Sequence, residues 1–96
     1  MLIHRKIKIG RKTLEAVCFS LSSKNLIVIR GKHGYIMCGY INLKAAEMFK
    51  DVAVKVTGVS SIKDVLKAKV NSSTSSAKRL GIYKNQPIKD VLKIIA

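Results

Sequence analysis

From Leu2 to Ile9 the chain alternates, with Ile3, Ile7 and Ile9 on one face beside Arg5, and His4, Lys6 and Lys8 on the other. Period two with one polar face predicts a half-exposed strand. Gly10-Arg11-Lys12 supplies a turn. Residues 13–21 then carry Val17, Phe19 and Leu21 on one face and Leu14, Ala16 and Cys18 on the other, the pattern of a strand covered on both sides. After Ser22-Ser23-Lys24-Asn25 comes a β-branched run, Leu26 to Ile29, which ends at Arg30-Gly31-Lys32-His33-Gly34. A strand from Tyr35 to Ile41 follows. Such short turns between successive strands predict an antiparallel meander.

The second half changes period. Asn42 is placed to cap a short helix over 43–50, with Leu43, Ala46 and Phe49 toward the sheet. Val52, Val54 and Val56 alternate with Ala53, Lys55 and Thr57 as a fifth strand. Ser60 or Ser61 caps a helix in which Ile62, Val65 and Leu66 form the apolar stripe and Asp64 suits the first turn. Asn71 to Ser76 reads as a Ser-rich loop. It leads to a short helix that buries Ala77 and Leu80 and stops at Gly81. A last helix opens at Pro87 and shows Ile88, Val91, Leu92 and Ile95 on one side. The hexapeptide Ile62 to Lys67 recurs letter for letter at Ile88 to Lys93, read as convergence on a capped amphipathic helix rather than a repeat array. The expected fold is α+β: one domain over residues 1–96, ordered β-β-β-β-α-β-α-α-α. A mostly antiparallel sheet of about five strands carries the C-terminal helices packed on one face. Covering one face leaves surplus apolar surface on the other, which predicts a homodimer or another partner there.

Composition narrows the class. The chain has 96 residues, 48% of them hydrophobic, with no Trp, three Tyr and two Phe, so Ile, Val and Leu must fill the core. Nineteen Lys and Arg stand against five Asp and Glu, a formal charge of +14. That field suits nucleic acid, anionic lipid or phosphorylated ligands, and also a solvated Lys-rich surface of the kind found in hot environments. His4, Arg5, Lys6, Lys8, Arg11 and Lys12 gather on the first strand and turn as a candidate nucleic-acid contact. No RNA-type aromatic platform accompanies them. Met1 leads straight into a strand pattern rather than a signal peptide, and no apolar run approaches the ~20 residues of a membrane helix. A cytoplasmic protein with reduced thiols is expected.

The candidate chemistry centres on Cys38, flanked by Gly34, Tyr35 and Gly39. A nucleophilic cysteine needs a depressed pKa, and His33, Lys32 and the helix start near Asn42 are the available sources. Five residues of strand span roughly 16 Å, however, so His33 and Cys38 meet only if the chain bends. Buried cysteines mostly act as small hydrophobes. The turn Arg30-Gly31-Lys32-His33-Gly34 offers backbone amides for an anion, with a plain hairpin as the alternative. Cys18, Cys38, His4 and His33 lack metal-ligand spacing, so no metal or cofactor is expected. Nor do Glu15, Glu47, Asp51, Asp64 and Asp90 form a hydrolase pair, the last four being better placed as helix or turn residues.

The run His33-Gly34-Tyr35-Ile36-Met37-Cys38-Gly39 has later companions in Gly58-Val59, Ile62, Leu66, Ala68, Ala77 and Leu80-Gly81-Ile82. Through these residues the segment from Asn25 to Ala96 resembles the YunC-like family of small bacterial and archaeal proteins. The resemblance implies a compact α+β domain with no assigned activity, cofactor or partner, and it supplies no catalytic residues. The expected function is a non-enzymatic binding or assembly module working through Tyr35–Gly39. Nucleic-acid binding and a Cys38-dependent enzyme are the alternatives.

Overall fold

The computed structural model describes residues 2–39 and 42–96. One six-stranded sheet runs in the order β1 (Leu2–Ile9), β2 (Lys12–Ser20), β3 (Asn25–Arg30), β4 (Tyr35–Cys38), β5 (Ala53–Val56) and β6 (Ser72–Ser73). Neighbours pair antiparallel except β4 and β5, which are parallel and joined through helix α1 (Leu43–Met48). Helices α2 (Ile62–Lys67), α3 (Ser75–Arg79) and α4 (Ile88–Ile95) complete the chain. The far end of the strand expected to reach Ile41, including Tyr40, lies outside the described residues.

Alternation built the sheet as expected. Ile3 pairs with Cys18 and Ile7 with Leu14, so one side of β1 meets the inner side of β2. Leu14, Ala16, Ile27, Ile29, Ile36, Val54 and Val56 are buried on that inner face. Ile62 and Val65 of α2, Ala77 of α3, and Ile88, Val91, Leu92 and Ile95 of α4 close over them. Burying a Val, Leu or Ile contributes about 1.5–3 kcal/mol, so this layer is the main source of stability. The repeated hexapeptide makes α2 and α4 pack against each other, burying the same first Ile and Val in each copy.

The outer face departs from expectation in one respect. Over β4 and β5 it is covered by the chain's own α1, whose Ala46 and Leu43 pack on Tyr35, Met37 and Ala53. Of the residues expected to face the sheet from this helix, Phe49 does not: it is the cap after the last turn and stands 77% exposed. Over β1 to β3 the outer face stays open, with Val17 and Val28 half-buried and Phe19 exposed.

Two further corrections lie in the C-terminal third. Residues 71–76, expected as a loop, hold β6, seated by Asn71 N–H on Lys55 O and Thr74 N–H on Ala53 O. Two residues are too few to display a period, and serine carries no strand preference. Leu80 is exposed and Ile82 takes the buried position instead. The cause is the helix ending. Gly81 at φ 91 turns the chain so that Ile82 N–H reaches Ala77 O and Gly81 N–H reaches Lys78 O. In that motif the residue after the glycine, not the cap, packs back on the helix. Ser61 caps α2 and Asn42 caps α1 as the sequence indicates, while Pro87 precedes α4 rather than beginning it.

Candidate functional site

The loops that leave the two parallel strands part company. After β4 the chain turns to the outer face for α1, and after β5 it turns to the inner face for α2. Adjacent parallel strands whose connections go to opposite faces leave a crevice beyond their carboxyl ends. It is present here, with a volume of about 470 Å³. Ser23, Lys24 and Asn25 form one wall, Cys38 and Gly39 the floor, and Thr57, Gly58, Val59 and Ser60 the other wall. The far wall is held by α2's cap, where Ser61 Oγ accepts Asp64 N–H and Asp64 Oδ2 accepts both N–H and Oγ–H of Ser60. Those Ser60 bonds hold the Asp64 carboxyl below its usual range.

Cys38 is the thiol at the floor, 3% exposed and free. Its Sγ lies 3.5 Å from the Ile27 amide, which donates to it, and 3.7 Å from Asn25 O, which accepts from it. No histidine or carboxylate lines the crevice among the described residues, and Lys24 in one wall is its basic side chain. His33 stands at the opposite end of β4, its amide on Ile95 O at 2.8 Å. His33 and Cys38 therefore stand at opposite ends of the strand, as expected of a chain that does not bend between them. Cys38 has no histidine or carboxylate beside it to take its proton.

At that opposite end, Arg30, Gly31, Lys32, His33, Gly34 and Tyr35 join Lys50, Asp51 and Val52 around a shallower cleft of about 320 Å³. Three of the amides around this turn are already committed within the chain. Gly31 N–H is bonded to Gly34 O, His33 N–H to Ile95 O and Tyr35 N–H to Val52 O. Tyr35 donates its hydroxyl to Asp51 Oδ2 at 2.8 Å. Burial first, and the Asp51 carboxylate second, push the phenol from its ordinary 10.0 up to about 12.

That shift has a definite sign. The folded state holds the Tyr35 proton more tightly than the unfolded chain, so its contribution is fully present below pH 10 and is lost as pH rises toward 12. Tyr35→Phe should lower stability at neutral pH by about 1 kcal/mol, given the half-exposed site. It should also flatten the alkaline limb of the stability curve. Urea titrations of both proteins from neutral pH into that range measure this, and parallel curves would refute it.

The remaining candidates lie elsewhere. His4, Lys6 and Lys8 project from the outer face of β1 and Arg11 from the β1–β2 turn, all exposed, as is Lys12 where β2 begins. Arg5 is also exposed but turns to the inner side, where it lines a second cleft. Glu15 accepts from Arg30 Nη2 at 2.8 Å and lies 3.0 Å from His4 Nε2, and both partners hold its carboxyl below the usual range. The residues missed by sequence reading are Thr57, Ser60 and Asn25. Their signal was the Thr57-Gly58 step directly after a β-run, the mark of a strand end opening into a loop.

Comparison with known proteins agrees with this fold. The profile of the family described as Domain of unknown function (DUF1805) matches residues 37–95. The uncharacterized protein YunC of Bacillus subtilis (strain 168) is 35% identical over 80 residues, covering 79% of each chain. The crystal structure of a protein of unknown function, TA1206, from Thermoplasma acidophilum superposes with a TM-score of 0.96. It is 32% identical, and the match covers 100% of this chain and 94% of that one.

Proposed function

We propose that this chain, which belongs to the DUF1805 family of domains of unknown function, is a cytosolic, non-enzymatic binding module. Its seat is the crevice beyond β4 and β5, reached from the Gly39 end of the Tyr35–Gly39 run. One observation carries the reading: the crevice stands where two parallel strands send their connections to opposite faces, the position at which open α/β sheets hold ligands. Two buried free cysteines agree with a reducing compartment, and no helix among the described residues is long and apolar enough to cross a membrane. A thiol with no histidine or carboxylate beside it favours binding over covalent chemistry.

Gly39 makes the test clean. A Cβ there would meet Thr57 Cγ2 at 3.5 Å, ordinary contact, and its φ is not positive. Gly39→Phe should fold normally and plug the crevice. In a thermal-shift screen of nucleotides, sugar phosphates, amino acids and carboxylic acids, compounds that stabilise the parent should lose their effect on this variant. They should also slow alkylation of Cys38 by iodoacetamide. Hits that stabilise Gly39→Phe equally would end the proposal.

A second reading rests on how the carboxylates are used. Glu47 accepts the Ser75 amide, Asp51 the Tyr35 hydroxyl and Asp64 the Ser60 donors, while Glu15 takes the contacts with Arg30 and His4. Most of the +14 charge therefore faces solvent uncompensated, which favours nucleic acid on the open outer face of β1 to β3. Single-stranded RNA should bind with an affinity that falls by about 0.7 log units per log unit of salt for each phosphate met. A salt-independent signal, or none at low ionic strength, would exclude it.

A further inference from the structure

We infer that the crevice and the cleft beside it form one seat for a small organic anion, whose charged group lies between Arg5 and Lys63 while its body rests over Cys38 and Gly39. The inference rests on the reading of the crevice as a binding seat and adds the ligand's chemistry.

The second cleft, about 440 Å³, includes Ile3, Arg5, Cys18, Ser61 and Lys63 in its lining and shares Asn25 and Ser60 with the crevice. What divides the two is a single exposed bridge, Asn25 Nδ2–H to Ser60 O at 2.6 Å. An amide nitrogen has a second N–H, so this ridge presents a donor to whatever crosses it. Beneath it the floor is continuous. Cys18 is paired with Ile27, and the Ile27 amide donates to Cys38 Sγ, so the two thiols flank one side chain across three neighbouring strands. Two strand spacings set them roughly 10 Å apart, beyond disulfide reach and near the length of a phosphorylated or polycarboxylated metabolite.

The charge of the lining selects the ligand. Arg5, Lys24 and Lys63 line the two clefts and no Asp or Glu does. The Asp64 carboxylate behind Ser60 accepts that residue's own N–H and hydroxyl. Arg5 lies opposite Ala16 in the register, a residue too small to crowd a guanidinium lying over the inner face. A guanidinium fork binds carboxylate or phosphate oxygens in pairs, and serine hydroxyls at the rim add neutral donors. The apolar floor explains the need for a body as well as a charge.

An ¹⁵N-labelled chain titrated with ADP, with citrate and with uncharged adenosine tests this. ADP and citrate separate phosphate from carboxylate. At least one should shift the amides of Ser20, Gly39 and Ser60 together, with adenosine weaker by about tenfold or more. Arg5→Gln should weaken that anion about tenfold, whereas Arg11→Gln, in the β1–β2 turn, should not. The same spectra verify that both variants are folded. Shifts confined to the crevice would overturn the shared seat while leaving the binding-module reading intact. Equal weakening by both variants, or shifts spread over the β1–β2 hairpin, would mean diffuse charge attraction and overturn it. Absence of shifts with both anions at millimolar concentration would overturn it too, and the Gly39→Phe screen would still judge the crevice.

Discussion

Thr74→Val should destabilise the protein by about 2–4 kcal/mol, although the two side chains have the same shape. Thr74 is fully buried, and its hydroxyl is the meeting point of three segments. Oγ1 donates to Asp51 O at 2.6 Å and accepts Ala53 N–H at 3.1 Å and Ala77 N–H at 3.3 Å. The first two bonds fix the entry to β5 and the third caps α3. Valine leaves a carbonyl and two amides without that partner at the head of the parallel strand, and each orphaned group costs about 1–3 kcal/mol. Partial relaxation keeps the sum below simple addition. Thr74→Ser keeps the hydroxyl and should cost about 1 kcal/mol for the lost methyl. Guanidinium unfolding of the three proteins measures the order, and a valine variant as stable as the serine one would contradict the assignment.

The comparable expectation, in the turn that leads into β4 at the same end of the sheet, concerns Gly31→Ala. A Cβ at this position would sit 2.2 Å from Ile95 O and 2.7 Å from its carbonyl carbon, both main-chain atoms. No rotamer can relieve that overlap. Either the β3–β4 turn or the end of α4 must shift, and the 2.8 Å bond from His33 N–H to Ile95 O goes with it. Overpacking against backbone typically costs about 1–3 kcal/mol, and the lost bond adds about 1. Amide exchange should quicken at His33 and in the last turn of α4 beyond the global loss. Unchanged exchange there, or a stability loss below about 0.5 kcal/mol, would show that the close approach does not hold the two segments together.

Both positions show where the sequence is legible and where it is not. The alternation at Ile3, Ile7, Leu14, Ala16 and Cys18 announced the strands and their inner face, because burial on one side enforces period two. The stripe Ile88, Val91, Leu92 and Ile95 announced α4 in the same way. Thr74 was invisible, since a buried hydroxyl and a solvated one are the same letter in a run of serines. Gly31 read as a turn glycine, when its need is set by a carbonyl 64 residues further along the chain. The crevice was half legible. Gly39 and Cys38 drew notice from their neighbours in sequence, but the opposite wall, Thr57 to Ser60, joins them only because β4 and β5 run parallel. The separation of His33 from Cys38 was legible too, from strand spacing alone. Closeness in sequence along an extended strand is distance in space.

The sheet's two ends differ in a way that bears on how copies of the chain meet. Strand β6 has two residues and offers almost no rim, whereas β1 is eight residues long and lies at the other margin. Such a margin invites stacking of one molecule's strand upon the next. Here it bears Arg5, Lys6 and Lys8 close together, so a docking copy would bring cation against cation. The charges on this strand should therefore oppose edge-to-edge stacking of copies.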